Sequence, residues 1–391
     1  MTETTPQSPI VSLFLAHMVT DIYMPVITAI LPLLISTYGF SYFLAGLLVT
    51  SYNLTSSVTQ PFFGWVSDRY GRQLNISVSL LISAVFIALM GVVTSYPLLI
   101  LCAGLAAIGH ACFHPNALSI VSRLAEGGNR GRITSFFVVG GNLGYAIGPL
   151  LAGALVVSFG LNGLVLLIFP AVFMAAGLKK MLPSGLASFP VKVKEPEAAG
   201  KKPFSRAIAV LFAASTLRAW AIFSAIAFFP PLLITRGYDI FTANLLVTLM
   251  LLCGVAGQVA GGVISDSHGR KEFVIAGLSL SIPAFAVFLF SSGLLSVIAL
   301  MVFGFFLWSS FAVTVAMSHE LMPTRVGLTS GLMIGVSIGA GGVGVAFSGY
   351  LADQYSLTTA LGTVPVLILL AALFILFLEY PWKSLNRLLR A

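Results

Sequence analysis

Long apolar runs separated by short polar breaks fill the chain from end to end. Twelve of them reach about 18 residues or more, enough for a helix rising about 1.5 Å per residue to cross a hydrocarbon layer of about 30 Å. The pattern predicts spanning helices over 10–38, 41–66, 74–94, 97–122, 132–158, 161–181, 206–234, 241–265, 273–291, 294–318, 326–352 and 359–380. The first run follows a polar leader with Glu3 and no basic residue, and it lacks a small-residue cleavage site, so it reads as a retained helix rather than a removable signal. The longest polar stretch, Pro183 to Phe204, is rich in Pro, Gly and Lys and predicts a linker at 183–205 between one half of residues 1–182 and another of 206–391.

Composition supports the membrane reading. Only 8% of residues are charged and 58% are apolar, with a mean hydropathy of +1.02, against roughly 25% charged in soluble domains. The net charge of +8 raises the question of a nucleic-acid partner, and the placement of the basic residues answers it. Eighteen of the twenty Lys and Arg lie on one side, after even-numbered segments, around the linker and at the C-terminus. By the positive-inside rule that side is cytoplasmic and holds both termini, so the excess sets topology and contacts lipid; no nucleic-acid partner is expected. Arg218, inside the seventh segment, and Arg236, in an outer loop, stand apart from this bias. The three cysteines have neither metal-ligand nor redox spacing, and no GxxxxGK[ST] loop is present to drive transport with ATP.

One charged phrase occurs twice. "GWVSDRYGR" at Gly64–Arg72 returns as "GVISDSHGR" at Gly262–Arg270, 198 residues on, each time between the second and third segments of a half. "PLLISTYGF" from Pro32 is likewise answered by "PLLITRGYDI" from Pro231, and "ITSFFVVGG" from Ile133 by "LTSGLMIGV" from Leu328. Two like-oriented halves describe a parallel-repeat transporter in which alternating access comes from rocking of the halves around a midplane site. Over essentially its full length the chain resembles the major facilitator superfamily, whose signature is the G-x-x-x-D-R-x-G-R loop of Gly64, Asp68, Arg69, Gly71 and Arg72. In the echo of Gly262, Asp266, Gly269 and Arg270, Ser267 replaces the first arginine. Gly64 would allow close helix approach and Gly71 a tight turn; Asp68 would accept from a helix N-terminus or pair with Arg132, latching one orientation, or the arginines would serve topology alone.

The fifth segment reads "GGNLGYAIGPLLAG", with Gly140, Gly144 and Gly148 four apart and Pro149 after them. Such spacing stacks small residues on one face and the proline can bend the helix. It resembles the antiporter motif of proton-coupled exporters, with tight packing as the plainer alternative.

Ionisable side chains inside membrane helices are costly, which makes the few present candidates for function. His17 and Asp21 share a face of the first segment, and His110 and His114 a face of the fourth. Counted from the cytoplasmic ends, Asp21 matches His110 in depth and His17 matches His114, predicting two layers about 6 Å apart. Arg218 lies near the repeat-related position of Asp21, and Trp308 stands 198 residues after His110. The superfamily resemblance implies that the first, fourth, seventh and tenth helices line a central cavity. Proton coupling is therefore assigned to Asp21, His17 and His110, and substrate binding to His114, Arg218, Tyr23, Asn53 and Trp308. The guanidinium suits a phosphate, phosphonate or carboxylate. His110-x-x-x-His114 also has a spacing used for metals, but no third ligand is near in sequence, and no metal or other cofactor is expected.

"GHACFHPNA", from Gly109, and "HMVTDIYMPVITAILPLL", from His17, resemble the fosmidomycin-resistance branch of the superfamily, inner-membrane efflux proteins for small molecules. Leu105 replaces the arginine that multidrug exporters carry before the fourth-helix glycine, so their arginine-based coupling does not carry over. The expectation is an all-α, twelve-helix monomer of the bacterial-type inner membrane, not an enzyme, exporting a small polar or anionic molecule against protons by alternating access. An importer of a small anionic nutrient or metal chelate is the alternative, and an intramembrane enzyme or sensor rests on the two fourth-segment histidines alone.

Overall fold

In this computed structural model residues 7–70, 75–124, 130–182 and 206–383 are described, and the apolar runs fold as helices. In order these are α1 (Gln7–Tyr38), α2 (Tyr42–Tyr70), α3 (Ile76–Leu89), α4 (Tyr96–Leu124), α5 (Arg130–Phe159) and α6 (Ile168–Met181), the last preceded by a 3-10 turn at Leu161–Leu167. Then follow α7 (Arg206–Thr235), α8 (Ile240–His268), α9 (Arg270–Phe290) and α10 (Gly293–Leu321). The eleventh expected segment is divided among α11 (Val326–Ser330), a π-helical turn (Gly331–Val336) and α12 (Ser337–Gln354), and the twelfth between α13 (Leu357–Leu361) and α14 (Val364–Leu376). Among the described residues ten helices are long and apolar enough to cross a membrane. The other two expected spans correspond to α2, diluted by the polar run Asn53–Gln60, and to the short α3.

The division of the eleventh segment falls in its glycine-rich stretch, where helix propensity is low and the widened turn is tolerated. Gly39, Gly160, Gly237 and Gly293 mark breaks between helices with φ between 62° and 89°, a region that costs other residues a clash.

Contacts divide the chain into two compact units, residues 1–40, 51–197 and 237–245 in one and 41–50, 198–236 and 246–391 in the other. Within the first, α1 packs chiefly on α5, and α3 on α4 and α6; within the second, α7 packs on α12 and α14, and α9 on α10 and α14. These pairings of one unit have counterparts in the other.

The units differ from the expected halves by an exchange of short segments. Residues 41–50, the start of α2, belong with α12: the Asp353 carboxylate accepts from the backbone N–H of Tyr42 and of Phe43, each at 2.8 Å, and Thr50 donates to the Gly342 carbonyl at 2.8 Å. A side chain at Gly46 or Gly349 would run into the facing backbone. Conversely, residues 237–245 belong with the first unit, where Asn244 donates to the Ala29 carbonyl at 3.2 Å and sits against Gly153. Small residues and helix-end hydrogen bonds, invisible to hydropathy, set these attachments.

Candidate functional site

The glycine stripe of α5 seats α1. A Cβ at Gly140, Gly144 or Gly148 would overlap the carbonyl oxygen of Phe14, Met18 or Ile22, three positions also four apart. The helices therefore meet backbone to backbone, and α1 is fixed in rotation. Gly144→Val is expected to cost at least about 1–3 kcal/mol through overpacking, seen as a lower melting temperature of the purified protein; an unchanged melting curve would contradict this packing. Pro149 lies inside α5 just beyond the stripe.

That rotation turns His17 and Asp21 toward α4. Asp21 Oδ2 lies 3.2 Å from His17 Nε2, and Oδ1 lies 3.4 Å from Nε2 of both His110 and His114. The two expected layers are one cluster. Every Cα–Cβ bond tilts toward its helix N-terminus; α1 and α4 run in opposite directions by the chain order, so Asp21 leans one way along the bundle, His114 leans the other, and they meet.

Backbone carbonyls fix the histidine tautomers. His17 Nδ1 donates to the Phe137 carbonyl of α5 at 2.8 Å, and His114 Nδ1 to the His110 carbonyl at 2.9 Å. A carbonyl only accepts, so both Nδ1 atoms carry hydrogen, and both Nε2 atoms turn their lone pairs inward, 3.2 Å apart. Two bare lone pairs so placed beside a carboxylate repel, and one cation between them removes the conflict. His110 is held outside this pair by the Ser56 hydroxyl at 3.2 Å from its Nδ1. The His17 ring stacks on Phe137 with centroids 4.1 Å apart, and Tyr52 stands 5.7 Å from the His110 ring. The four cluster side chains are only 7–17% exposed. Asp21 Oδ1 and the hydroxyls of Tyr52 and Tyr145 lack a well-formed hydrogen bond, so the surroundings do little to satisfy the charge.

Ser56, Phe137, Tyr145 and Gly141 were not singled out by the sequence. Gly141 leaves the space in which His17 and Asp21 sit, since a Cβ there would meet His17 Nε2 and Asp21 Oδ2. Its place beside Gly140 in the glycine stripe was the one available signal.

The expected substrate residues separate. Tyr23 is fully buried and donates to the Leu167 carbonyl at 3.0 Å, tying α1 to the turn before α6, so it belongs to the packing and not to the cluster. Asn53 is buried on α2 with its amide nitrogen unbonded. Trp308, on α10, packs against Gly254 of α8. Arg218, in α7, is 3% exposed, and its described contacts are a 3.3 Å hydrogen bond to the Ser310 hydroxyl and the face of Phe311, 5.1 Å away. Its Nε has no partner, and among the described residues no carboxylate lies within salt-bridge distance of it.

The two charged loops also differ. In the first, Gly71 and Arg72 lie outside the described residues, as do the side chains of Asp68 and Arg69, and Arg132 is exposed. Among the described residues nothing approaches Gly64 closely enough to meet a Cβ there. In the second, Arg270 pairs with Asp266 at 3.1 Å and with Glu320 of α10 at 2.6 Å, while Tyr380 donates to the same Glu320. Burial, with the Glu320 carboxylate, pushes the Tyr380 hydroxyl pKa up, so this donor stays protonated at ordinary pH. Gly262 faces open space. Gly269 has φ +106°, and a Cβ there would collide with the Glu272 carboxylate. Gly269→Ala is thus expected to cost at least about 1–2 kcal/mol, read as an earlier thermal unfolding; a neutral substitution would mean the loop relaxes.

One helical unit carries an acidic and imidazole-rich cluster within the membrane, and the other carries a buried guanidinium. A family model of the Major Facilitator Superfamily matches residues 10–241 and 211–391, and the chain belongs to that family. It is 29% identical over 350 residues to the fosmidomycin resistance protein of Escherichia coli (strain K12), covering 88% of this chain and 86% of that protein. It is 31% identical over 382 residues to the uncharacterized MFS-type transporter YfnC of Bacillus subtilis (strain 168), covering 95% and 93%. In fold it matches an inward-facing, occupied bacterial homolog of the human lysosomal transporter Spinster, with a TM-score of 0.80 at 19% identity over 97% of this chain and 98% of that one. The protein is a multi-pass membrane transporter, not an enzyme.

Proposed function

We propose that the protein exports a small polar or anionic molecule in exchange for protons, by alternating access across a bacterial-type inner membrane, as a monomer with both termini cytoplasmic. The observation that carries this reading is the Asp21 carboxylate enclosed by three imidazoles, two of which face each other at 3.2 Å. One proton satisfies that arrangement. When it leaves, a buried negative charge remains without a counter-ion, and reorienting the halves in that state is costly. A substrate group that donates into the bare cluster takes the place of the proton. Either occupant permits the transition and the empty carrier does not, which is the mutual exclusion that antiport needs. The similarity to a fosmidomycin resistance protein supports the exporting direction and a phosphonate as the first probe.

The test uses inside-out membrane vesicles with a labelled phosphonate outside and an imposed pH gradient, acid inside. Uptake that rises with the gradient and collapses with a protonophore is expected. Uptake driven by the opposite gradient would make the protein an importer.

A further inference from the structure

We propose that His17, Asp21 and His114 form a binding site for a divalent transition-metal ion of the Zn2+ class, in which the ion takes the position of the coupling proton and arrests transport. The binding itself rests on geometry alone; only the arrest rests on the proton role proposed above.

Ligand spacing is the first argument. One ligand atom from each of the three residues lies within 4.8 Å of the others. The closest approaches are 3.2 Å from His17 Nε2 to Asp21 Oδ2, 3.2 Å between the two Nε2 atoms and 3.4 Å from His114 Nε2 to Asp21 Oδ1. A tetrahedral ion with bonds of about 2.0–2.1 Å holds its ligand atoms about 3.3 Å apart. The carboxylate meets the two rings through different oxygens, so a turn of the Asp21 carboxylate is what brings one oxygen and the two Nε2 atoms toward the corners of such a tetrahedron.

The rings are also oriented for an ion. A metal-bound histidine usually donates its remaining N–H to a carbonyl or carboxylate, which fixes the tautomer and aims the lone pair. Both histidines do this, His17 to the Phe137 carbonyl and His114 to the His110 carbonyl. His110 stands beside the carboxylate, with Nε2 3.4 Å from Asp21 Oδ1, too far for a well-formed hydrogen bond, and Nδ1 against the Ser56 hydroxyl. It acts as a positioning residue. Imidazole nitrogens with one carboxylate favour zinc, cobalt, nickel or copper over magnesium and calcium.

The sequence concealed this set because its third ligand is far away in the chain. His110 and His114 belong to α4, whereas His17 and Asp21 come from α1, 93 residues earlier when counted from Asp21 to His114 (114 − 21). Of the two α4 histidines, His114 joins the set and His110 supports it. A single ion there joins α1 to α4, so any transport step that moves one against the other, or that requires a proton in the cluster, is blocked.

The experiment titrates Co2+ into the purified full-length protein in detergent and follows visible absorption, with Zn2+ displacement as the second reading. One Co2+ per chain with the intense bands of a four-coordinate ion is expected, displaced by Zn2+. His17→Ala and His114→Ala should abolish the bands while the proteins elute and melt as folded chains. His110→Ala should weaken Co2+ binding by about 10–100-fold without removing the bands. Absence of Co2+ and Zn2+ binding in the wild type, or equal binding in the His17→Ala, His114→Ala double variant, overturns the site. Substrate-linked proton flux is then measured in vesicles with and without Zn2+. Binding together with arrest supports the whole proposal, whereas binding with unchanged flux overturns the arrest and the proton role of the cluster and leaves the metal site standing. Failure to bind with flux still lost in Asp21→Asn overturns the metal site and leaves the proton role intact.

Discussion

Asp21→Asn is expected to reduce substrate-linked proton movement to the level of protein-free vesicles while leaving a folded, monodisperse protein. The carboxylate is the common partner of three imidazoles, within 3.2–3.4 Å of each, and an amide of the same shape accepts no proton at neutral pH. Asparagine keeps the volume that Gly141 leaves for this side chain, so packing against α5 is preserved. The variant also removes a buried charge whose Oδ1 lacks a good hydrogen bond, and its melting temperature should be equal to or above that of the wild type. Coupled flux that persists would place the proton elsewhere, and a collapsed fold would make the cluster structural. Substrate binding, measured separately by calorimetry with a phosphonate probe, should survive in weakened form because Arg218 is untouched.

Arg218→Leu is expected to abolish transport of anionic probes. The guanidinium lies within the membrane with one hydrogen bond to Ser310, a stacked Phe311 and an unpartnered Nε. Neutral packing would satisfy the fold better, which fits the proposed anion-binding role and not a stabilising one. Two readouts follow. Binding of the phosphonate should fall to background, and the melting temperature should hold or rise. A sharp loss of stability with the affinity of the residual folded protein unchanged would contradict the anion-binding role. Arg218→Lys retains charge but loses the planar fork, and intermediate binding is expected from it.

Much of the fold was legible because the membrane imposes it. Segments such as 206–234 and 294–318 are apolar along almost their whole length, and their helices Arg206–Thr235 and Gly293–Leu321 fall within a few residues of expectation. Where the expected boundaries slipped, as at the π-helical turn of Gly331–Val336, a glycine-rich stretch allowed local backbone freedom that hydropathy does not register. The cluster was half legible. Helical spacing showed that His17 faces with Asp21 and His110 with His114, and depth counting put the pairs near each other. It treated side chains as standing level with their Cα atoms, which separated two layers that the tilt of Cα–Cβ bonds brings together.

Tyr23 was misplaced for a rotational reason. It stands two residues from Asp21, about 200° around a helix of 3.6 residues per turn, and so faces Leu167 rather than α4. Phe137 and Ser56 could not be found from local sequence, since their roles exist only once α5 and α2 are packed beside α1 and α4, and Gly141 was signalled only by its place beside Gly140. The C-half network was hidden similarly: Glu320 and Tyr380 join Arg270 from positions 50 and 110 residues downstream.

Direction and site of coupling together form the central claim, and one measurement addresses both. The purified protein is reconstituted in vesicles containing a pH-sensitive dye, and a phosphonate gradient is applied to wild type, Asp21→Asn and His110→Ala in parallel. The account predicts proton movement opposite to the substrate in wild type and its loss in Asp21→Asn, with a marked reduction in His110→Ala. Protons moving with the substrate would contradict export by antiport, and movement unaffected by either substitution would contradict coupling through the α1–α4 cluster.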